Sequence, residues 1–300
     1  MCPLMRRQWQ AGGAIGCPRK GWVLEAVDIL TRSLSKAVPI NGQMLQYHGR
    51  SDRHGQLICW GILFDLMLTS DLLRWHVESG KVVFGINHTL RSFSPEKKKR
   101  LDLVLCRPKA GAPVPRRPQT LHTLVDKHGI ELTPRQWGLL QDLPVITEGP
   151  VGSVLVALEA KACMTEHIKA LPRLYDELNS SHQIVHGHSS QALSIGFFMV
   201  NAAEEFHSPT NTAKPGPNKH RQPHALRRAV AQVTDLPRRS HHSSQGFDGL
   251  GIVVVDMVND GVSPCTLVTA PPAPAEDDVL HYDSMVQRMA HEYDTRFSMI

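Results

Sequence analysis

The sequence predicts a mixed α/β fold, with a small mixed central β-sheet flanked by helices, on the strength of three observations. The apolar run from Leu57 to Val77 is too long for a strand and reads as a helix. From residue 81 the pattern shortens to β-branched or alternating runs, Lys81–Phe93 and Arg100–Cys106. Beyond residue 150, strand-like runs at Ser153–Lys161, Gln191–Asn201 and Leu250–Val258 are separated by helical patterns. With 300 residues, 41% of them hydrophobic, the chain buries roughly 75% of its unfolded surface without needing a disulfide or metal.

Residues 1–20 read as a flexible tail and residues 21–300 as one domain. Gly21 to Val38 is a helix, because Val23, Leu24, Val27, Leu30, Leu34 and Val38 recur at three- and four-residue steps. A polar stretch, Asn41 to Gln56, leads into the Leu57–Val77 helix. Thr69-Ser70-Asp71 can break that helix, with Ser70 or Thr69 capping the second piece. The two strands that follow are split by a basic turn, Ser94-Pro95-Glu96-Lys97-Lys98-Lys99. Pro108 to Pro118 holds four prolines and reads as an extended linker; residues 119–143 read as helical, giving an insertion over about 108–143. Pro144–Thr147 and Ser153–Lys161 are strands around Glu148-Gly149-Pro150-Val151-Gly152. Met164 to Leu178 is a helix with Thr165 as its N-cap and Pro172 as a kink or second start. Residues 208–244, rich in Pro, Asn, Arg and His, form a mobile basic loop around one short helix, His224–Val233. Asn259-Asp260-Gly261 turns a hairpin from the 250–258 strand into Thr266–Thr269, and Asp278–Phe297 is the last helix.

The 33 Lys+Arg against 28 Asp+Glu give a net charge of +5, a mild bias that permits an acidic partner without dictating one. No stretch approaches the ~20 apolar residues of a bilayer-spanning helix, and residues 1–20 lack the apolar core of a signal peptide. A cytoplasmic, reducing location is expected. There the six cysteines (Cys2, Cys17, Cys59, Cys106, Cys163, Cys265), none in a Cys-x-x-Cys pair, read as small buried apolar residues. Neither a phosphate-binding glycine loop with Lys-Ser/Thr nor a Gly-x-Ser-x-Gly elbow is present.

The informative segment is Val154-Leu155-Val156-Ala157-Leu158-Glu159-Ala160-Lys161. Strand residues at i and i+2 share a face, so Glu159 and Lys161 project together at the end of a buried strand. Burying unpaired charge costs several kcal/mol, so the pair needs solvent, each other or a metal. In Arg100-Leu101-Asp102-Leu103-Val104-Leu105 a single aspartate interrupts another apolar strand. Brought beside Glu159, Asp102 completes a two-carboxylate set for a hard divalent cation, with Lys161 placed to orient or help deprotonate a water. Asp142 and Glu148 are alternative first acids.

These residues resemble the PD-(D/E)xK nuclease superfamily, to which many restriction endonucleases belong. The core of that family runs helix, strand hairpin bearing Asp and then Glu-x-Lys, helix, strand. Residues 57–201 here follow that order. The resemblance implies a restriction-endonuclease-like core in which Asp102 and Glu159 bind Mg²⁺ and Lys161 assists the attacking water, with Glu78 as an accessory acid. It implies an endonuclease acting on double-stranded DNA, a type II restriction enzyme working as a homodimer, because cutting both strands of a palindrome takes two sites. Two features depart from the family pattern: Leu101 stands where a proline usually precedes the aspartate, and 57 positions separate Asp102 from Glu159, which the insertion would absorb. A repair or phage-type processing nuclease and a non-catalytic DNA-binding protein are the rival readings.

Other candidates follow from charge. Lys97, Lys98, Lys99 and Arg100 precede the Asp102 strand and are expected at phosphates, where Lys/Arg neutralisation dominates affinity. Lys169 and Arg173 lie on the polar side of the helix after Lys161. Arg227-Arg228 and Arg238-Arg239 fall in the loop expected to close around a duplex. Gly187 argues for a loop at 182–188, so His182 and His186 read as DNA contacts rather than zinc ligands.

Overall fold

The computed structural model describes residues 23–40, 42–91, 98–113, 115–210, 216–241 and 244–300. The expected tail at 1–20 lies outside these residues, as does Lys97. The order begins with α1 (Ala26–Ser35), a small hairpin β1 (Val38–Ile40) and β2 (Gln43–Leu45), then α2 (Arg53–Thr69) and α3 (Asp71–Glu78). Next come β3 (Val83–Arg91), β4 (Lys98–Pro108), α4 (Leu121–His128), α5 (Pro134–Asp142) and β5 (Val151–Cys163). The chain continues through α6 (His167–His188), β6 (Leu193–Asn201), β7 (Glu205–Phe206), β8 (Asn218–Lys219) and α7 (His224–Thr234), and ends with β9 (Gly249–Asp256), β10 (Thr266–Val268) and α8 (Tyr282–Arg296).

A six-stranded mixed sheet in the order β10-β9-β6-β5-β4-β3 forms the centre. β5, β6 and β9 run parallel, and the outer neighbours pair antiparallel. The parallel steps need crossovers, which α6 and α7 supply on one face. The other face is covered by α1, α2 and α8. β6 is therefore sandwiched, and all nine of its residues are buried, which is why it reads as a mostly apolar run rather than an alternating one.

Three contacts fix the α2 layer. Gly61 lets α1 approach closely, since a Cβ there would lie 2.5 Å from that of Ala26. Asp65, buried on the same helix, accepts hydrogen bonds from the Glu25 and Ala26 amides (2.9 and 3.0 Å) at the start of α1 and from the Tyr282 hydroxyl (2.8 Å) of α8. Glu25 offers no side-chain cap of its own, so Asp65 supplies the cap from a neighbouring helix. At its first turn, α2 is held by Arg53, whose guanidinium donates to the carbonyls of Ser33 (2.7 Å) and Gln46 (3.0 Å).

The break expected near Ser70 is present: its hydroxyl accepts from the Leu73 amide, and α2 and α3 meet at 102°. No single described helix is long and apolar enough to cross a membrane. The helical insertion is docked rather than free. Leu121, Leu124 and Leu140 join the α1–α2 core, Trp60 donates to the Leu121 carbonyl (2.9 Å), and Gln136 donates to Glu25 (2.8 Å).

Several elements differ from the sequence reading. Pro144–Thr147 is not a strand; only isolated bridges form there, Thr120 with Thr147 and Phe84 with Glu148, as the segment crosses the outer edge of β3. Thr165 does not cap α6. Glu166 occupies that position with φ 51°, while the Thr165 hydroxyl bonds His220 and Asn218. α6 also continues to His188, ten residues beyond Leu178. Pro172 lies near its start, and Gly187 near its end costs only about 1 kcal/mol. The expected mobile loop is largely built onto the core: α7 packs Leu226, Ala229 and Val233 against Leu171, Leu174 and Leu178 of α6, although 211–215 and 242–243 lie outside the described residues. Asn259 is no tight-turn residue. It is buried, its carbonyl oxygen accepting from the Tyr47 amide and its amide donating to the Tyr47 and His207 carbonyls, within a longer connection from β9 to β10.

Burial pushes the Asp65 carboxyl up to about 7 against the opposing effect of the Glu25 and Ala26 amides. The folded chain thus binds this proton more tightly than the unfolded chain. The associated stability is complete below about pH 4 and is lost as pH rises through 7. Denaturant titrations should show this decline in the native chain and a flatter profile in Asp65→Asn. Asp65→Ala, which leaves two amides and a hydroxyl without their acceptor, should cost about 3 kcal/mol below pH 4 and less as the native chain loses stability through pH 7.

Candidate active site

The site forms where the ladder between β4 and β5 ends. Leu105–Val156, Val104–Ala157 and Leu103–Leu158 are paired, and Leu103–Leu158 is the last pair at this end. One residue further, the Asp102 side chain takes over from backbone: its Oδ2 accepts from the Ala160 amide at 2.8 Å. β5 itself continues, paired with β6 as far as Cys163, so the strand stays fixed while its β4 side opens.

Glu159 is 2% exposed, and its neighbours supply the charge compensation that such burial requires. Its Oε1 lies 2.7 Å from Lys161 Nζ and 3.3 Å from Lys99 Nζ. The same-face placement of Glu159 and Lys161 is thus a direct ion pair. Glu159 Oε2 is buried with no hydrogen-bond partner. Lys161 also lies 3.5 Å from Glu177 Oε2 on α6, and Lys99 donates to the Glu177 carbonyl at 2.7 Å. Beside these groups opens a cleft of about 200 Å³ whose lining includes Tyr47, Asp52, His54, Asp102, Lys161 and Glu177.

The charges are strongly coupled. Burial first, and then the Glu159 charge, push Asp102 up to about 6, against the Ala160 amide and Lys161. For Lys161, burial acts downward, but Glu159, Asp102 and Glu177 outweigh it, so its pKa is raised and the ammonium persists at neutral pH. His54, on the first turn of α2, is lowered to about 4 by burial and then by Lys161, and is neutral at pH 7. Its Nδ1 is buried without a hydrogen-bond partner.

Asp102, Glu159 and Lys161 are therefore brought together. Asp142 is exposed at the end of α5, and Glu148 bridges the outer edge of β3, two strands from β5. Glu78 ends α3 outside the cleft lining, beyond the far end of α2; it is the start of α2 (Asp52, His54 and Gly55) that lines the cleft, together with Arg173, Leu174 and Glu177 of α6. Lys98 is exposed, whereas Lys99 turns inward to Glu159, and Arg100 pairs with Asp52 at 2.9 Å. Lys169 pairs with Glu166 at 2.7 Å, and Arg173 reaches the cleft. His182 and His186 are not surface contacts, because α6 carries them as helix residues into the interior. His182 is fully buried against Phe247 and bonds Asn179 (2.9 Å). His186 bonds the Gly246 carbonyl (3.0 Å) and lies 3.5 Å from Asp248. The second half of the expected Arg238-Arg239 contact is likewise internal, Arg239 being buried beside Asp248.

Sequence reasoning missed Glu177, His54 and the inward role of Lys99. Glu177 stands one helical turn from Arg173, a spacing visible in the sequence; nothing local marks His54. Among the described residues, no group of three or more His, Cys, Asp or Glu side chains gathers as a metal cage. A cation at this site would rest on two carboxylates. No family model matches the chain, and neither a curated protein nor a solved structure is significantly similar to it.

Carboxyl-carbon NMR titration should place the Asp102 pKa near 6. Glu159→Gln should lower it by removing the neighbouring negative charge, and Lys161→Met should raise it by removing the positive one. Shifts of the same sign would refute the coupling.

Proposed function

We propose that this chain is a Mg²⁺-dependent endonuclease of double-stranded DNA, built on a restriction-endonuclease-like PD-(D/E)xK core. The observation that carries this reading is the meeting of Asp102 from β4 with Glu159 and Lys161 from β5, where the two strands part. The succession α2, β3, β4, β5, α6, β6 supports it, since it follows the family's helix, hairpin, helix and strand. The long separation of Asp102 from Glu159 is taken up by α4, which packs on α2, and α5, which is tied to Glu25 and α1, both away from the cleft lining.

The residues fit a divalent cation. Glu159 Oε2 is a buried acceptor without a partner, and Asp102 is lifted partly by repulsion from Glu159; a cation between the two carboxylates relieves both conditions. Mg²⁺ takes one or two protein carboxylates and keeps several waters, so Asp102 and Glu159 would hold it. When bound, it supplies a more acidic water and neutralises phosphate charge. Lys161 stays protonated at neutral pH, which makes it a fixed cation that orients a water and offsets charge building on phosphate, rather than a base. His54, neutral in the same cleft, is available to hydrogen-bond a phosphate oxygen or water.

A type II restriction enzyme is the specific form we favour, as a homodimer with one site per strand. Supercoiled plasmid incubated with Mg²⁺ should be cut, and EDTA should prevent it. Lys161→Ala and Asp102→Asn should each slow cleavage by at least about 100-fold. Discrete bands support a site-specific restriction enzyme; a smear supports a processing nuclease. Plasmid left intact by the folded native chain with Mg²⁺ and Mn²⁺ would overturn the catalytic reading.

A further inference from the structure

The longest acid-free basic stretch of the chain has a defined place in the fold. From Phe206 to Thr234 there is no Asp or Glu, although 28 acids among 300 residues would put about three in a stretch of that length; the same stretch holds Lys214, Lys219, Arg221, Arg227 and Arg228. Its C-terminal part is not a loose loop. α7 buries Ala225, Leu226, Ala229 and Val233 and leaves His224, Arg227 and Arg228 exposed on the opposite side, with Arg221 and Lys219 exposed just before it. On α1, α3 and α6, basic residues that reach the surface are matched by an acid one turn away: the half-buried Arg32 with Asp28 and Arg74 with Asp71, and the exposed Lys169 with Glu166 and Arg173 with Glu177. α7 offers no such acid, and Lys219, Arg221, Arg227 and Arg228 make no ion pair among the described residues. A surface helix that concentrates uncompensated charge of one sign works against its own stability, and binding a polyanion removes that cost.

The location completes the case. The segment entering α7 is tied to the ends of the strands that build the cleft: His220 bonds the Thr165 hydroxyl (3.0 Å), just beyond β5, and Gln222 donates to the Asn201 carbonyl (3.1 Å) at the end of β6. α7 then packs against the α6 side chains Leu171, Leu174 and Leu178, on the helix that sends Arg173 and Glu177 to the cleft. The stripe and the cleft are thus held on one rigid unit.

We infer that the exposed face of α7, with Lys219 and Arg221 before it, is a backbone-phosphate docking surface for duplex DNA that works apart from the cleavage residues. This rests on the nucleic-acid reading above and adds to it where the duplex is gripped. The face grips without reading sequence, because its contacts are to phosphates.

The test measures binding of the full-length chain to a 30-base-pair duplex in EDTA by fluorescence anisotropy, over a range of salt. Each lost phosphate contact lowers the slope of log affinity against log salt by about 0.9. Arg227→Glu with Arg228→Glu should weaken binding at least about tenfold and reduce the slope by about 2. Arg116→Glu with Arg117→Glu, the same charge change on the exposed linker, should alter both much less. An unchanged slope in the α7 variant, equal loss in the linker variant, or no binding by the native chain overturns the inference. So does α7-dependent binding to phosphatidylglycerol vesicles with duplex binding unaltered. Duplex bound through α7 but never cut leaves the inference standing and removes the nuclease reading. Duplex cut and bound equally well by the α7 variant does the reverse.

Discussion

One hydrogen bond organises the cleft end of this molecule: the Asp102 carboxylate on the Ala160 amide, in the place where the β4–β5 ladder stops. A sheet that loses a ladder partner must satisfy the freed amide, and a side-chain oxygen does so at the cost of holding an acid in a half-buried position. That acid then sits near Glu159, whose burial leaves it dependent on ammonium groups. The pairing of two acids with Lys161 and Lys99 follows from the geometry of the gap, and so does the raised pKa of Asp102. The proposed site is lodged in a local interruption of an otherwise regular sheet.

The rest of the fold keeps that interruption in place. The start of α2 lines the cleft with its first turn anchored by Arg53 to the Ser33 and Gln46 carbonyls, while Asp65 joins α2 to α1 and α8. Behind the site, α6 closes the opposite face and sends Glu177 and Arg173 forward. These supports are polar and internal, so their removal leaves buried groups without partners rather than simply loosening a surface.

Much of this was legible in the sequence, and the parts that were share a cause. Glu159 and Lys161 stood out because charge at the end of a buried strand is expensive, and Asp102 because it interrupts apolar neighbours. The break at Ser70 followed from capping, and a short helix was expected at His224–Val233, where α7 runs. What failed depended on tertiary context. Gly187 suggested a loop, but packing of Ile184 and Val185 against the sheet carries α6 through it, drawing His182 and His186 inward. Lys99 looked like one solvated member of a basic run, but in β4 it turns inward onto Glu159 and the Glu177 carbonyl. Glu78 seemed placed to help, but it follows the C-terminal end of α2, and it is the start of α2 that lines the cleft. Local pattern carried the periodic elements; side chains whose roles are set by contacts sixty or more residues away were invisible to it.

The central claim is that Asp102 and Glu159 together grip a divalent cation. Anomalous scattering from crystals of the native chain soaked in Mn²⁺ tests it most directly. The account predicts one peak between the two carboxylates, within about 2.1 Å of an oxygen of each, with Glu159 Oε2 among the ligands. No peak there at saturating Mn²⁺, with Glu159 still held only by Lys161 and Lys99, would contradict it.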